Sequence, residues 1–109
     1  MKLLTAEIIK KLEKAPLYST DSIPVVPVLV KFFTPWSNWT WYAVEAQKEE
    51  DSGDWLFFGL VEGHETELGY FTLSELQSVK GPFGLKIERD MYFDNAVLDK
   101  EKLEVRRKS

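Results

Sequence analysis

The sequence predicts an α+β domain: an N-terminal helix packed on a four- or five-stranded antiparallel meander sheet, with a short helix after strand four. Three observations predict it. One short amphipathic segment opens the chain at residues 5–15. Four β-branched and aromatic runs follow between residues 25 and 73, separated by turn residues. The whole is 109 residues, 44% hydrophobic and 29% charged, which suits one ordinary folded domain and not two. The expected boundaries are a single domain over 1–98 and a charged C-terminal tail over 99–109.

Thr5 is the expected N-cap, with Glu7 in the first turn, where a carboxylate suits the helix dipole. Ile8, Ile9 and Leu12 form a narrow apolar stripe opposite Lys10, Lys11 and Lys14, and Pro16 ends the helix near Ala15. A helix this short needs a surface to lie on. Val25 to Thr34 reads as the first strand, with Pro24 and Pro27 marking its entry or an edge. Thr34-Pro35-Trp36-Ser37-Asn38 is a turn with Asn38 able to go left-handed, and Trp39 to Gln47 returns as the second strand. The polar loop Lys48 to Asp54 leads to a third strand, Trp55 to Glu62. Gly63-His64-Glu65-Thr66 turns into a fourth, Glu67 to Leu73. Thr72-Leu73-Ser74-Glu75 and Ser74-Glu75-Leu76-Gln77 both read as capping boxes, so a short helix begins there and stops at Lys80-Gly81-Pro82. Leu85 to Phe93 is expected to be extended and to supply a fifth strand.

Folding these hairpins about their turns sets Phe32 opposite Trp41, Trp41 beside Val61, Val61 opposite Leu68 and Gly59 opposite Tyr70. One face then carries Trp39, Trp41, Trp55 and Tyr70 with Val30, Phe32 and Phe57, and the other carries Leu29, Tyr42, Val44, Leu56, Phe58 and Phe71. Both faces are apolar, unlike a sheet with one solvated side. One short helix covers only part of one face. Residues 76–98, curling of the sheet, or another molecule must cover the rest. The aliphatic helix stripe is expected to prefer the face without large rings. That leaves the Trp-bearing face incompletely covered, with at least one indole exposed or in a self-association contact.

Charge is uneven. Residues 1–34 hold five Lys against Glu7, Glu13 and Asp21, a local +2; residues 35–75 hold nine carboxylates against Lys48 alone, a local −8; residues 76–109 return to +2. So acidic a middle disfavours duplex nucleic acid. It reads either as a solvated surface or as a patch offered to a basic partner. The tail from Asp99 is charged at eight of eleven positions and is expected to fray. The longest uncharged stretch, Phe32 to Val44, is too short for a membrane span, and the opening segment gains charge too soon for a signal peptide, so a cytoplasmic protein is expected.

Candidate chemistry is sparse. There is no Cys and one His, which leaves no thiolate or multi-His metal site, and no cofactor or metal is expected. Glu62-Gly63-His64-Glu65-Thr66-Glu67 gathers imidazole and carboxylates but reads as a hairpin tip. Glu45 and Glu62 are expected on opposite faces and so not as an acid–base pair, with Glu45 on the Trp-rich face. Gly81-Pro82-Phe83-Gly84 lacks the Lys and preceding strand of a phosphate loop. The expectation is a non-enzymatic protein with a protein partner or self-association. The candidate binding residues are Trp39, Trp41, Trp55 and Tyr70 on the sheet, where large aromatics suit hot spots, and Glu49, Glu50 and Asp51 on the acidic loop. The alternative is single-stranded nucleic acid or a small ligand stacked on the Trp-rich face, with Trp36 and Lys31 nearby.

The runs Val30-Lys31-Phe32-Phe33-Thr34-Pro35, Asn38-Trp39-Thr40-Trp41-Tyr42, Phe58-Gly59-Leu60-Val61, Glu67 to Leu76 and Ile87-Glu88-Arg89-Asp90 resemble the bacterial family called "domain of unknown function 2958", as does the opening Met1-Lys2-Leu3-Leu4-Thr5. The resemblance spans roughly residues 1–95. It implies a small protein or module of the kind carried on plasmids, phages and conjugative elements, and it supplies no activity and no site residues. The loop at Glu49–Asp51 and the tail after Asp99 depart from the family pattern. By analogy with other small acidic proteins of such elements, the resemblance points to an accessory protein, with inhibition of a host defence nuclease as one role.

Overall fold

Helix α1 (Ala6–Glu13) begins at Thr5, whose hydroxyl accepts the Ile8 N–H at 3.2 Å, and its Leu12 is fully buried. The computed structural model describes residues 1–108. The chain then runs β1 (Val25–Pro27), β2 (Val30–Phe33), β3 (Thr40–Lys48), β4 (Trp55–Glu62), β5 (Thr66–Thr72), α2 (Leu73–Ser78), β6 (Glu88–Arg89), β7 (Ala96–Asp99) and β8 (Glu104–Arg107). Five strands form an antiparallel sheet in the order β5-β4-β3-β2-β6, and three more form a small sheet, β1-β7-β8. The fold is α+β. The short helix follows the hairpin as expected, and Thr72 and Glu75 make both halves of the capping box. Ser74 lies inside the helix, so the second candidate box is not used.

Several sequence expectations are corrected. The stretch Val25–Thr34 is two strands in two sheets: Val28 donates to Ala96 and Leu29 to Ala43, so the chain changes sheets between them. The tail does not fray. Asp99 lies opposite Glu104, and residues 104–107 form β8 with Leu98 against Val105; Ser109 lies outside the described residues. Asn38 is not left-handed; Tyr18, Phe83, Asn95 and Leu103 are the non-glycine residues with positive φ among those described.

The register correction matters most. Phe32 faces Trp41 and Trp41 faces Val61 as expected. Beyond the next turn Val61 pairs with Glu67 and Gly59 with Gly69, one residue away from the expected pairs. The loop holds three residues, Gly63 to Glu65, closed by Gly63 N–H on the Glu65 carbonyl at 3.0 Å. An odd loop slips the return strand by one and turns every side chain to the other face. Phe71 thus joins the helix side, and Leu68 and Tyr70 leave it.

A β-bulge changes the parity again inside β3. Ala43 pairs with Gly59 and Glu45 with Phe58, so Val44 is the extra residue. Bulged backbone swings so close to β4 that a Cβ on Gly59 would lie 1.7 Å from the Tyr42 carbonyl oxygen; only glycine fits. Val44 and Glu45 therefore share a face, the one opposite the tryptophans. Glu45 and Glu62 consequently lie on the same face, not on opposite ones.

Helix α1 also takes the face it was not expected to take. Leu12, Ile8 and Ile9 pack with Trp41, Trp55, Phe32, Phe57 and Phe71 in one core, joined by Leu3, Leu76 and Ile87. The other face is covered by the small sheet, with Val26, Leu98 and Val105 against Tyr42, Val44 and Leu60. Three layers result, and the sheet with two apolar faces is covered on both by its own chain. Phe32 and Phe57 have no exposed surface and their rings lie 5.7 Å apart, each burial contributing about 1.5–3 kcal/mol.

Candidate interaction surfaces

Trp41 and Trp55 are core residues, 9% and 5% exposed, beneath α1. Trp39 is half-buried; it stacks on Trp41 at 5.7 Å and occupies the space a Gly63 side chain would need, with His64 edge-on at 5.3 Å. Tyr70 is not on the Trp face at all. It is 53% exposed on the other side, against Phe58 at 5.0 Å. Its phenol pKa is raised above the ordinary value, first by desolvation and then by the neighbouring Tyr18 phenol. The three tryptophan candidates gather in one core while Tyr70 stands apart on the other face, and none of the three indoles is fully open.

Glu49, Glu50 and Asp51 are all exposed at the β3–β4 loop. The loop is closed by Glu49 N–H on the Asp54 carbonyl and Gly53 N–H on the Glu49 carbonyl, both 2.8 Å, with Gly53 at a φ of +74°. Asp54 does structural work instead: its carboxylate accepts Trp55 N–H at 2.8 Å, Ser74 N–H at 3.0 Å and the Ser74 hydroxyl at 2.6 Å. These bonds, the Ser74 hydroxyl foremost, hold its pKa below the usual carboxylate value.

Two further polar groups are buried or half-buried. Glu45 is 2% exposed and accepts Tyr18 N–H at 2.8 Å, Thr20 N–H at 3.0 Å and the Thr20 hydroxyl. Lys100 in turn donates to the Thr20 hydroxyl at 2.8 Å and to its carbonyl. The bulge thereby points a carboxylate at the 14–24 segment and sews it between the two sheets. Tyr42 is pushed up to about 12, chiefly by burial and then by the neighbouring Glu62 carboxylate. Lys31 lies near its ring at 5.8 Å while pairing with Asp90 at 3.4 Å.

The surface that sequence reasoning missed is the turn after α2. Pro82-Phe83-Gly84 is a single 3-10 turn, and Phe83 sits in it at φ +57° with its side chain fully exposed. The turn is built, not loose. Gly81 N–H bonds the Leu85 carbonyl at 2.8 Å, and Leu85 N–H bonds the Pro82 carbonyl at 3.0 Å. The Trp36 ring lies 2.5 Å from where a Gly81 Cβ would be, so the turn rests on it. Trp36 is itself delivered by the β2–β3 turn, which buried Thr34 fixes through Trp39 N–H at 3.2 Å and the Ser37 hydroxyl. Beside the turn opens a cleft of about 580 Å3 with Leu3, Leu76 and Ile87 at its floor and Met1 and Leu85 at its rim. The signal in the sequence was an aromatic set between Pro82 and Gly84, turn chemistry with an apolar tip.

No curated protein and no solved structure matches the chain. A family model described as "Protein of unknown function (DUF2958)" matches residues 3–101, and the chain belongs to that family.

Proposed function

We propose that this chain is a non-catalytic protein-binding module, in keeping with an accessory protein of a bacterial mobile element, and that Phe83 is its principal contact. One observation carries the reading: a phenylalanine is held out to solvent on left-handed backbone by a turn locked at both ends. A non-glycine residue in that region costs of order 1 kcal/mol or more, and a Phe with no contact returns nothing to the fold. Aromatic and Met side chains are enriched in interfaces, and preorganisation lowers the ordering cost of binding. Phe83, Leu85 and Met1 beside the cleft supply the apolar centre, and Lys80 and Lys86 flank it in sequence as a polar rim. The buried tryptophans give the Trp face a folding role and leave little stacking surface for single-stranded nucleic acid.

The test is capture from a lysate of the native host by immobilised wild type and by Phe83→Ala. Wild type retains a discrete protein that Phe83→Ala loses, while the two melt within a few degrees of each other. Equal capture by both would contradict the proposal.

A further inference from the structure

Among the described residues the fold has four strand edges, and three of them are protected. β6 is two residues long and lies against the N-terminus, with Arg89 N–H on the Met1 sulfur at 3.3 Å and its guanidinium on the Lys2 carbonyl. β1 is three residues bracketed by Pro24 and Pro27. β8 is four residues ending in Arg106 and Arg107. These are the devices by which edges avoid pairing with other chains.

β5 has none of them. It runs seven residues, Thr66-Glu67-Leu68-Gly69-Tyr70-Phe71-Thr72, without proline, bulge or cation, and it ends the five-stranded sheet. Among the described residues its backbone groups have no backbone partner beyond β4, and only the Thr72 N–H finds a side chain, Glu75. Space beside Gly69 is open. The border of this edge is acidic throughout. Residues 49–79 contain no Lys or Arg, Glu65 and Glu67 are exposed at its start, and Asp54 and Glu75 lie at its end with the Glu49–Asp51 loop beyond.

We infer that β5 accepts an extended segment of another protein as a sixth strand, and that this segment is basic. Backbone pairing supplies affinity in such additions, and alternate side chains supply specificity. Tyr70 and Leu68 share one face of the edge and Glu67 the other, so the segment places apolar residues on the first and Lys or Arg on the second. A second copy of the chain would bring the same carboxylates against one another. This surface is separate from the Phe83 turn, so either assignment can fail alone.

The probe is a capped nine-residue peptide of alternating Lys and Val, titrated into the isotopically labelled full chain and followed through backbone amides. Saturable shifts centred on residues 66–72 are expected, with amide exchange slowed at least tenfold at alternate positions of β5. A proline at the peptide's centre, or Glu in place of Lys, weakens binding at least tenfold. Glu67→Lys weakens it at least threefold without lowering the melting temperature. Three results would each overturn the inference: no saturable change at 66–72, equal binding of the proline peptide, or sedimentation showing the free chain already paired through β5 as a dimer.

Discussion

Replacing Glu45 by Ala removes the carboxylate that holds residues 16–24 on the sheet. Glu45 accepts two backbone N–H groups and one hydroxyl, and Lys100 completes the group through Thr20. Hydrogen bonds to a charged acceptor contribute about 1.5–3 kcal/mol each, and a stranded donor costs about 1–3 kcal/mol. Three such bonds set a ceiling of roughly 5–9 kcal/mol on this scale. The true loss is smaller for two reasons. Tyr18 and Thr20 lie near the surface, where water replaces part of what is lost, and Ala no longer pays to bury a charge. A net loss of about 3 kcal/mol follows, close to half the lower range of stability for a domain this size. It appears as a fall of about 10–15 °C in Tm. Glu45→Gln does not rescue, because its NH2 faces a backbone N–H where the carboxylate accepted one. Urea titration of wild type, Glu45→Ala and Glu45→Gln, with Glu50→Ala as the exposed control, measures this. Amide exchange at Tyr18 and Thr20 should accelerate in the first two variants alone. A loss below about 1 kcal/mol in Glu45→Ala would refute the anchoring role.

Two more predictions follow from the buried rings. Tyr42 titrates near 12 rather than 10. A raised folded-state pKa leaves its full contribution in place below about pH 10, and that contribution is lost as pH rises toward 12, at most about 2–3 kcal/mol. Tyr42→Phe should flatten this alkaline loss, and one phenol fewer should titrate late in the ultraviolet phenolate band. Trp55→Ala should cost about 3–5 kcal/mol in urea unfolding, and half-buried Trp39→Ala about half of that; equal costs would mean the two rings are equally supported.

Local signals carried most of the element plan. Thr5, Pro16, the Thr72–Glu75 box and the runs flanking Gly53 and Gly63 each act within a few residues, and each stands where it was expected. What failed was parity. The β3 run is apolar on both faces, so inserting Val44 as a bulge breaks no visible alternation; the only trace was Gly59, a strand glycine with a backbone where its side chain would be. The three-residue loop at Gly63 reads equally well as four, and the difference moved Tyr70 off the tryptophan face. Together these shifts, with the sheet change at Val28 and Leu29, decided which side α1 could cover. The β7–β8 hairpin was hidden by its charges: Asp99 is spent inside the fold, accepting Glu101 N–H, Lys102 N–H and Arg106, the Lys102 bond foremost in holding its pKa low. Among the candidate site residues, exposure survived for Glu49, Glu50, Asp51 and Tyr70 and not for Trp41 or Trp55. The Phe83 signal is weak in the sequence because Gly81-Pro82-Phe83-Gly84 also reads as a plain helix-stopping turn.

The most direct test of the binding role is a photoreactive side chain placed at the turn in living cells of the native host. Phe83→p-benzoylphenylalanine is compared with the same replacement at Tyr92, which is also highly exposed but lies outside the Pro82–Gly84 turn. One discrete protein adduct is expected from position 83 and none from position 92. No adduct at position 83, or the same adduct from both, would contradict the binding role.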